Sequence, residues 1–171
     1  MTRIDEIKKI ALKIKANKKE KVFAITALDK KENTYKLAED LAKELNLYGK
    51  TILIDLQSNE SENFLTLEDI KNDKIRNKQN LDMVSFEEKN IDKLVNTEEF
   101  IEFLKSLKEN YSNIIINNGY FDSYQAYLLK NFEDGEIILV NEGKSKKSSL
   151  DIYLKGLEKL EIELLGVVYN K

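Results

Sequence analysis

The chain contains no cysteine and no histidine. Without Cys there are no disulfides, thiolate nucleophiles or cysteine metal sites, a composition that fits a reducing compartment. Without His, Ser-His-Asp catalysis, imidazole proton transfer near neutral pH and most transition-metal sites are excluded. Long apolar runs are also missing, as is any surplus of positive charge. The 171 residues are 42% hydrophobic and 35% charged, with a formal net charge of -3. Such a balance belongs to a soluble globular chain, and it argues against membrane spans and against a nucleic-acid partner bound through a broad basic face. The opening "MTRIDEIKKIALKIKANKKEK" intersperses charges where a signal peptide needs an uninterrupted apolar core. The expectation is one cytoplasmic domain covering residues 1–171, with an N-terminal helix at 1–18.

What is present is a series of apolar segments rich in β-branched residues. "VFAIT" (Val22–Thr26), "TILID" (Thr51–Asp55), "NIIIN" (Asn113–Asn117), "EIILVN" (Glu136–Asn141) and "LLGVVYN" (Leu164–Asn170) lack the alternation of a half-exposed strand. They therefore predict parallel strands covered on both faces. "LDMVSF" (Leu81–Phe86) is a further edge or inner strand. Between them, Leu37, Ala38, Leu41, Ala42, Leu45 and Tyr48 share one helical face, and Gly49 stands where a left-handed C-terminal cap belongs. A second helix is predicted from Asn96 and Glu99, which have capping-box spacing, with Phe100, Ile101, Phe103, Leu104 and Leu107 on its buried face. Helices are also expected over 123–131 and 146–159, and a surface excursion over 56–80. Alternation of this kind predicts an α/β fold, a doubly wound, mainly parallel sheet with helices on both faces. In such sheets ligands bind beyond the carboxyl ends of the strands.

The segments "ITALDKKENTYKLAEDLA", "GKTILIDLQ", "NLDMVSF", "YSNIIINNGYF", "DGEIILVNEGKS" and "LLGVVYN" run almost from end to end of the chain. Their order and spacing resemble the bacterial tyrosine kinases of capsule and exopolysaccharide synthesis. That family belongs to the deviant-Walker P-loop group, with the MinD and ParA ATPases. The resemblance implies a P-loop NTPase-like fold. It also implies a protein partner, either the cytoplasmic tail of a polysaccharide co-polymerase or an active paralogue, and it allows for an oligomer. No direct membrane span is expected, so any membrane association runs through a partner.

The family's phosphate loop, G-E-G-K-S, aligns with Lys31, Glu32, Asn33, Thr34 and Tyr35, so only the Glu is kept. Glycines there let backbone N–H groups converge on phosphate, the Lys reaches its oxygens and the hydroxyl binds magnesium. Thr34 stands at the lysine position and Tyr35 at the hydroxyl position. Asp55 is retained at its strand end, but the second acid of the family's D-A-D is Gln57 and the acid ending the third major strand is Asn117. Amides lack the charge that holds magnesium or draws a proton from a nucleophile. Charge-assisted hydrogen bonds are worth roughly 1.5–3 kcal/mol each, so losing the Lys and one or two amide contacts removes roughly 3–9 kcal/mol. A micromolar site, at about -8 kcal/mol, becomes millimolar or worse.

Each of these residues also has a plainer structural role. Asp55 caps a strand end at least as readily as it marks a former metal site. Asn170, where the family recognises adenine, is also simply a polar residue near the chain's end. Tyr120, Tyr124 and Tyr127 read as helix-packing residues rather than phosphorylation sites. The N-terminal helix, with Ile4, Ile7, Ile10, Ala11 and Ile14, docks on its own domain or a neighbouring subunit more readily than on an anionic membrane. The preferred expectation is a catalytically inactive, tyrosine-kinase-like interaction or regulatory subunit with no cofactor and no metal. Its vestigial nucleotide site comprises Glu32, Asn33, Thr34, Tyr35, Asp55, Gln57, Asn117 and Asn170, with Asn33 or Thr34 capping the helix. The alternative is an ATPase or tyrosine autokinase with a rearranged loop, binding ATP and magnesium. A dinucleotide-dependent oxidoreductase ranks behind, for want of any glycine-rich turn.

Overall fold

The computed structural model describes residues 3–16, 21–56, 68–69, 75–86 and 91–170. Seven strands form one sheet: β1 (Val22–Ala27), β2 (Thr51–Asp55), β3 (Arg76–Lys78), β4 (Leu81–Ser85), β5 (Asn113–Tyr120), β6 (Gly135–Asn141) and β7 (Glu163–Asn170). Their order is β3-β4-β2-β5-β1-β6-β7. All neighbours are parallel except β3 and β4, which form an antiparallel hairpin. The fold is therefore the doubly wound, mainly parallel α/β sheet that the apolar runs predict.

Helices cover both faces. On one lie α1 (Arg3–Ala16) and α2 (Thr34–Asn46), whose Ile7, Ile10, Ile14, Leu37, Leu41 and Leu45 meet Phe23, Ile25, Leu53 and Ile115. On the other, α3 (Ile91–Leu94), α4 (Glu98–Asn110) and α5 (Gln125–Leu128) join Val22, Ala24, Ile52, Ile54, Ile114 and Ile116 in a second core. On that same sheet face, α6 (Lys147–Lys159) packs Tyr153 and Leu157 against Ile138 and Val140. Odd and even residues of β1, β2, β5 and β6 thus serve different cores, the two-residue periodicity of a strand buried on both sides. In α2, burial of Leu37, Leu41 and Leu45 supplies on the order of 1.5–3 kcal/mol each, against about 1 kcal/mol for its cap. Packing, more than capping, holds this helix.

Several local expectations are corrected. Gly49 does not adopt a left-handed conformation, and α2 ends instead through Leu47 in the right-handed helical region. What Gly49 supplies is clearance: a Cβ there would lie 2.9 Å from the Cβ of Ser112. The N-cap of α4 is Thr97, whose hydroxyl accepts from the Phe100 backbone N–H at 3.3 Å, while Asn96 donates its side-chain amide to the carbonyl of Asp92. The helix expected over 123–131 divides into α5 and a 3-10 turn, Lys130–Phe132, which turns the Lys130 ammonium inward. The excursion over 56–80 is not wholly irregular. Its last residues are β3, joined to β4 by Gln79 and Asn80, both at positive φ (52° and 64°), as a two-residue hairpin turn requires; residues 57–67 and 70–74 lie outside the described ones. Ile4 is 64% exposed rather than part of the buried face of α1. Tyr124 and Tyr127, at 61% and 54%, are exposed rather than packed.

The strand expected to end at Asn117 continues to Tyr120. Pairing with β1 slips between Ile25 and Thr26, which face Asn117 and Gly119, so Asn118 is the extra residue of a β-bulge and Gly119 takes φ 75°. Asn117 and Asn118 then point to opposite sides of the sheet.

Candidate functional site

The carboxyl ends of β1, β2, β5, β6 and β7 gather most of the residues singled out above. After β1 the chain turns tightly, with the Asp29 carboxylate accepting from the Lys31 backbone N–H at 2.9 Å and the Asp29 carbonyl from that of Glu32 at 3.2 Å. Asn33 is the N-cap of α2, and its side-chain oxygen accepts from the Tyr35 N–H at 3.0 Å. It does with one side chain part of what a phosphate would otherwise do for a helix N-terminus. Thr34, the first helical residue, is buried, and Tyr35 packs half-buried against the α1–α2 core.

The Glu32 carboxylate reaches across the strand ends. One oxygen accepts from the Asn170 side-chain amide at 2.6 Å, and the other from the amide of Asn141. Asn141 and Asn170 are register partners at the ends of β6 and β7, so their amides lie side by side. Glu32 therefore clasps the loop to the sheet. Two lysines near the loop are turned to other partners: Lys36 runs along the helix to Asp40 at 2.7 Å and Glu39 at 3.3 Å, and Lys30 lies over the Tyr120 ring at 5.5 Å.

At the ends of β2 and β5, Asp55 and Asn117 are register partners, 1% and 0% exposed. The Asn117 amide donates to the Asp55 carboxylate at 2.8 Å. An amide opposite a carboxylate makes a hydrogen bond where two carboxylates would repel or recruit a cation. Gln57 lies outside the described residues. Among the described residues no group of three or more acidic side chains is placed to hold a metal ion. Of the seven described residues among the eight expected, Glu32, Asn33 and Asn170 belong to the clasp and its cap, Asp55 and Asn117 form a separate pair, and Thr34 and Tyr35 are buried or half-buried in α2.

The sequence reading missed Asn141 and an entire second cluster. On the α6 side of the sheet, the Lys130 ammonium donates to Glu133 at 2.8 Å, to Glu136 at 2.8 Å and to the Tyr153 hydroxyl at 2.9 Å. Thr26 and Tyr153 donate their hydroxyls to Glu136, and the Asn118 amide donates to Glu133 at 2.7 Å. None of these six residues is more than 7% exposed. Burial pushes the Tyr153 phenol well above its ordinary pKa, and the Glu136 charge adds to the rise. The available signals were slight: a Glu inside the apolar run "EIILV", and Lys130 with Glu133 at helical spacing.

No protein-family model matches the chain, and no curated protein matches its sequence. Solved structures do match. The chimerical protein CapA2B2 superposes with a TM-score of 0.80 at 19% identity, covering 97% of this chain and 83% of its own. The kinase domain of the Escherichia coli tyrosine kinase ETK superposes at 0.79 with 12% identity, covering 98% and 74%. A putative plasmid partition protein from Borrelia burgdorferi B31, bound to AMPPNP, superposes at 0.63 with 20% identity, covering 89% and 75%. At these identities the likeness concerns architecture: the chain has the P-loop NTPase fold of bacterial tyrosine kinase domains and ParA-like ATPases.

Proposed function

We propose that this chain is a catalytically inactive, tyrosine-kinase-like protein that acts as an interaction or regulatory subunit, with capsule or exopolysaccharide synthesis as its setting. The observation that carries the reading is the Glu32 clasp. The one side chain shared with the family's phosphate loop is spent on the chain's own Asn141 and Asn170. A carboxylate at that place repels a polyanion, and the loop offers neither the glycines nor the lysine that would offset it.

The residues present do not fit magnesium and ATP. Thr34 is buried where a lysine is required, the Tyr35 ring packs against the core, and Asp55 is satisfied by an amide instead of a second acid. What remains is the sheet-and-helix scaffold, supported by its likeness to kinase domains across nearly the whole of this chain. Its partner is a protein: an active relative of the same fold or the cytoplasmic tail of a polysaccharide co-polymerase. Neither nucleic acid nor a direct membrane contact enters this reading.

The test mixes the purified chain with an active kinase domain of this fold from the same cell, following complex formation by size exclusion and phosphotyrosine by immunoblot. A stable complex with an altered rate is expected, while the chain alone releases no phosphate from ATP and gains no phosphotyrosine. Phosphate release or phosphotyrosine that appears with the chain alone and is lost in Asp55→Ala would establish the competing reading, an enzyme with a rearranged loop.

A further inference from the structure

The buried cluster beneath α6 carries a property that the nucleotide-binding pole lacks: its charges do not balance. One ammonium, Lys130, faces two carboxylates, Glu133 and Glu136. All three Lys130 protons are used, two on the carboxylates and one on the Tyr153 oxygen, and Tyr153 and Thr26 spend their own protons on Glu136. Glu136 thus receives three donors. Glu133 receives Lys130 on one oxygen and only the Asn118 amide on the other.

The groups that face Glu133 come from every element around it: Asn118 from β5, Lys130 from the 3-10 turn, Glu136 from β6 and Tyr153 from α6, with Thr26 of β1 behind Glu136. The neighbouring Asp134 takes no part, because its carboxylate accepts from the Lys21 and Val22 backbone N–H groups at 2.8 Å each. With both glutamates ionised, the cluster holds one uncompensated negative charge in a space that water does not reach, which is costly.

Asn118 is suited to either protonation state. Its Nδ2 donates to a carboxylate, and after a half-turn of the amide its Oδ1 accepts from a carboxylic acid. The elements tied down by Lys130 and Glu133 are short, a four-residue helix and a three-residue turn. They carry few backbone hydrogen bonds of their own, so their docking depends on what their side chains reach.

We propose that Lys130, Glu133, Glu136 and Tyr153 form a proton-operated latch, in which Glu133 holds a proton in the closed state and its loss to solvent loosens residues 121–133 from β6 and α6. Burial pushes the Glu133 carboxyl up to about 7; the Lys130 charge opposes the rise and that of Glu136 adds to it. The loosened segment includes the exposed Tyr124 and Tyr127 and the Phe121 ring, which stacks edge-on against Tyr153 at 5.6 Å. Opening therefore changes the surface beside the nucleotide-binding pole without any ligand.

Two measurements on the full chain test the latch. Carboxyl carbon NMR across about pH 4.5 to 9 follows every glutamate, and amide hydrogen exchange follows residues 121–133 after correction for intrinsic rates. One glutamate is expected to titrate about two units above the rest, and protection of the segment to fall about tenfold with the same midpoint. Both features are absent in Glu133→Gln. If that variant fails to fold, the coincidence of the two midpoints in the unaltered protein decides. Should every glutamate titrate in the ordinary carboxylate range, or should segment protection be unchanged across the titration, the latch is overturned. An equal pH-dependent loss of protection in Glu133→Gln overturns it as well, because the proton responsible would then belong to another group.

Discussion

Asn117 and Asn118 are neighbours on β5, yet they serve polar clusters on opposite faces of the sheet that follow opposite electrostatic rules. Asn117 gives its amide to Asp55, much as Asn141 and Asn170 give theirs to Glu32. In these pairs each carboxylate meets neutral donors. Asn118 instead joins a cluster in which an ammonium and two carboxylates are packed together out of water. The difference shows where charge has been retained. At the carboxyl ends of the strands, the Glu32 and Asp55 carboxylates accept from the amides of Asn141, Asn170 and Asn117, beside a buried Thr34. Under α6, one lysine and two glutamates meet out of water and tie down a short segment. Amide–carboxylate pairs tolerate change, whereas an ion cluster does not, since removing one member strands the others.

That contrast is broken most severely through Lys130. Lys130→Met strands two buried carboxylates and is expected to cost about 3–5 kcal/mol at neutral pH, read as a lowered urea midpoint. Next comes pH itself. Because the folded Glu133 titrates at about 7 and an unfolded Glu near 4.3, the native state binds the extra proton between these values. This stabilisation is fully present below the unfolded value and is lost as pH rises through about 7. On the order of 3 kcal/mol therefore disappears over that window, and Glu133→Gln flattens the profile. A stability that rises with pH across the same window would contradict the ion cluster as described.

Smaller effects are expected at the other pole. Glu32→Ala leaves two partly buried amides without their acceptor and should cost about 1–3 kcal/mol by denaturant unfolding. Asn33→Ala removes the α2 cap and should cost about 1 kcal/mol, visible as a lower melting temperature with the fold intact by circular dichroism. If Glu32→Ala proved as damaging as Lys130→Met, the two clusters would not differ in kind.

Much of this architecture could be read from the sequence, for identifiable reasons. Runs such as "NIIIN" and "EIILVN" announce burial on both faces, and Leu37, Leu41 and Leu45 fix the inward side of α2 by periodicity alone. The Asn33 cap was legible because capping is local. Gly49 was misread because a glycine after a helix has two uses, and only the approach of Ser112 tells clearance from a left-handed turn. Thr97 displaced Asn96 as the cap by one residue, a distinction set by backbone angles rather than residue type. The ion cluster escaped because hydrophobic periodicity records which side chains are buried, not which buried side chains meet. Its members come from β1, β5, β6, α6 and a 3-10 turn. Asn141 escaped likewise: nothing local in "LVNEG" marks it as the partner of a glutamate more than a hundred residues earlier.

We propose that the chain's own side chains, Glu32 on Asn141 and Asn170, occupy the nucleotide-binding pole of this fold in place of ATP and magnesium. A titration of the full chain with a fluorescent ATP analogue in the presence of magnesium tests it most directly. The expected result is no saturable signal below about millimolar concentration. Micromolar affinity, with Glu32 still in place, would contradict it.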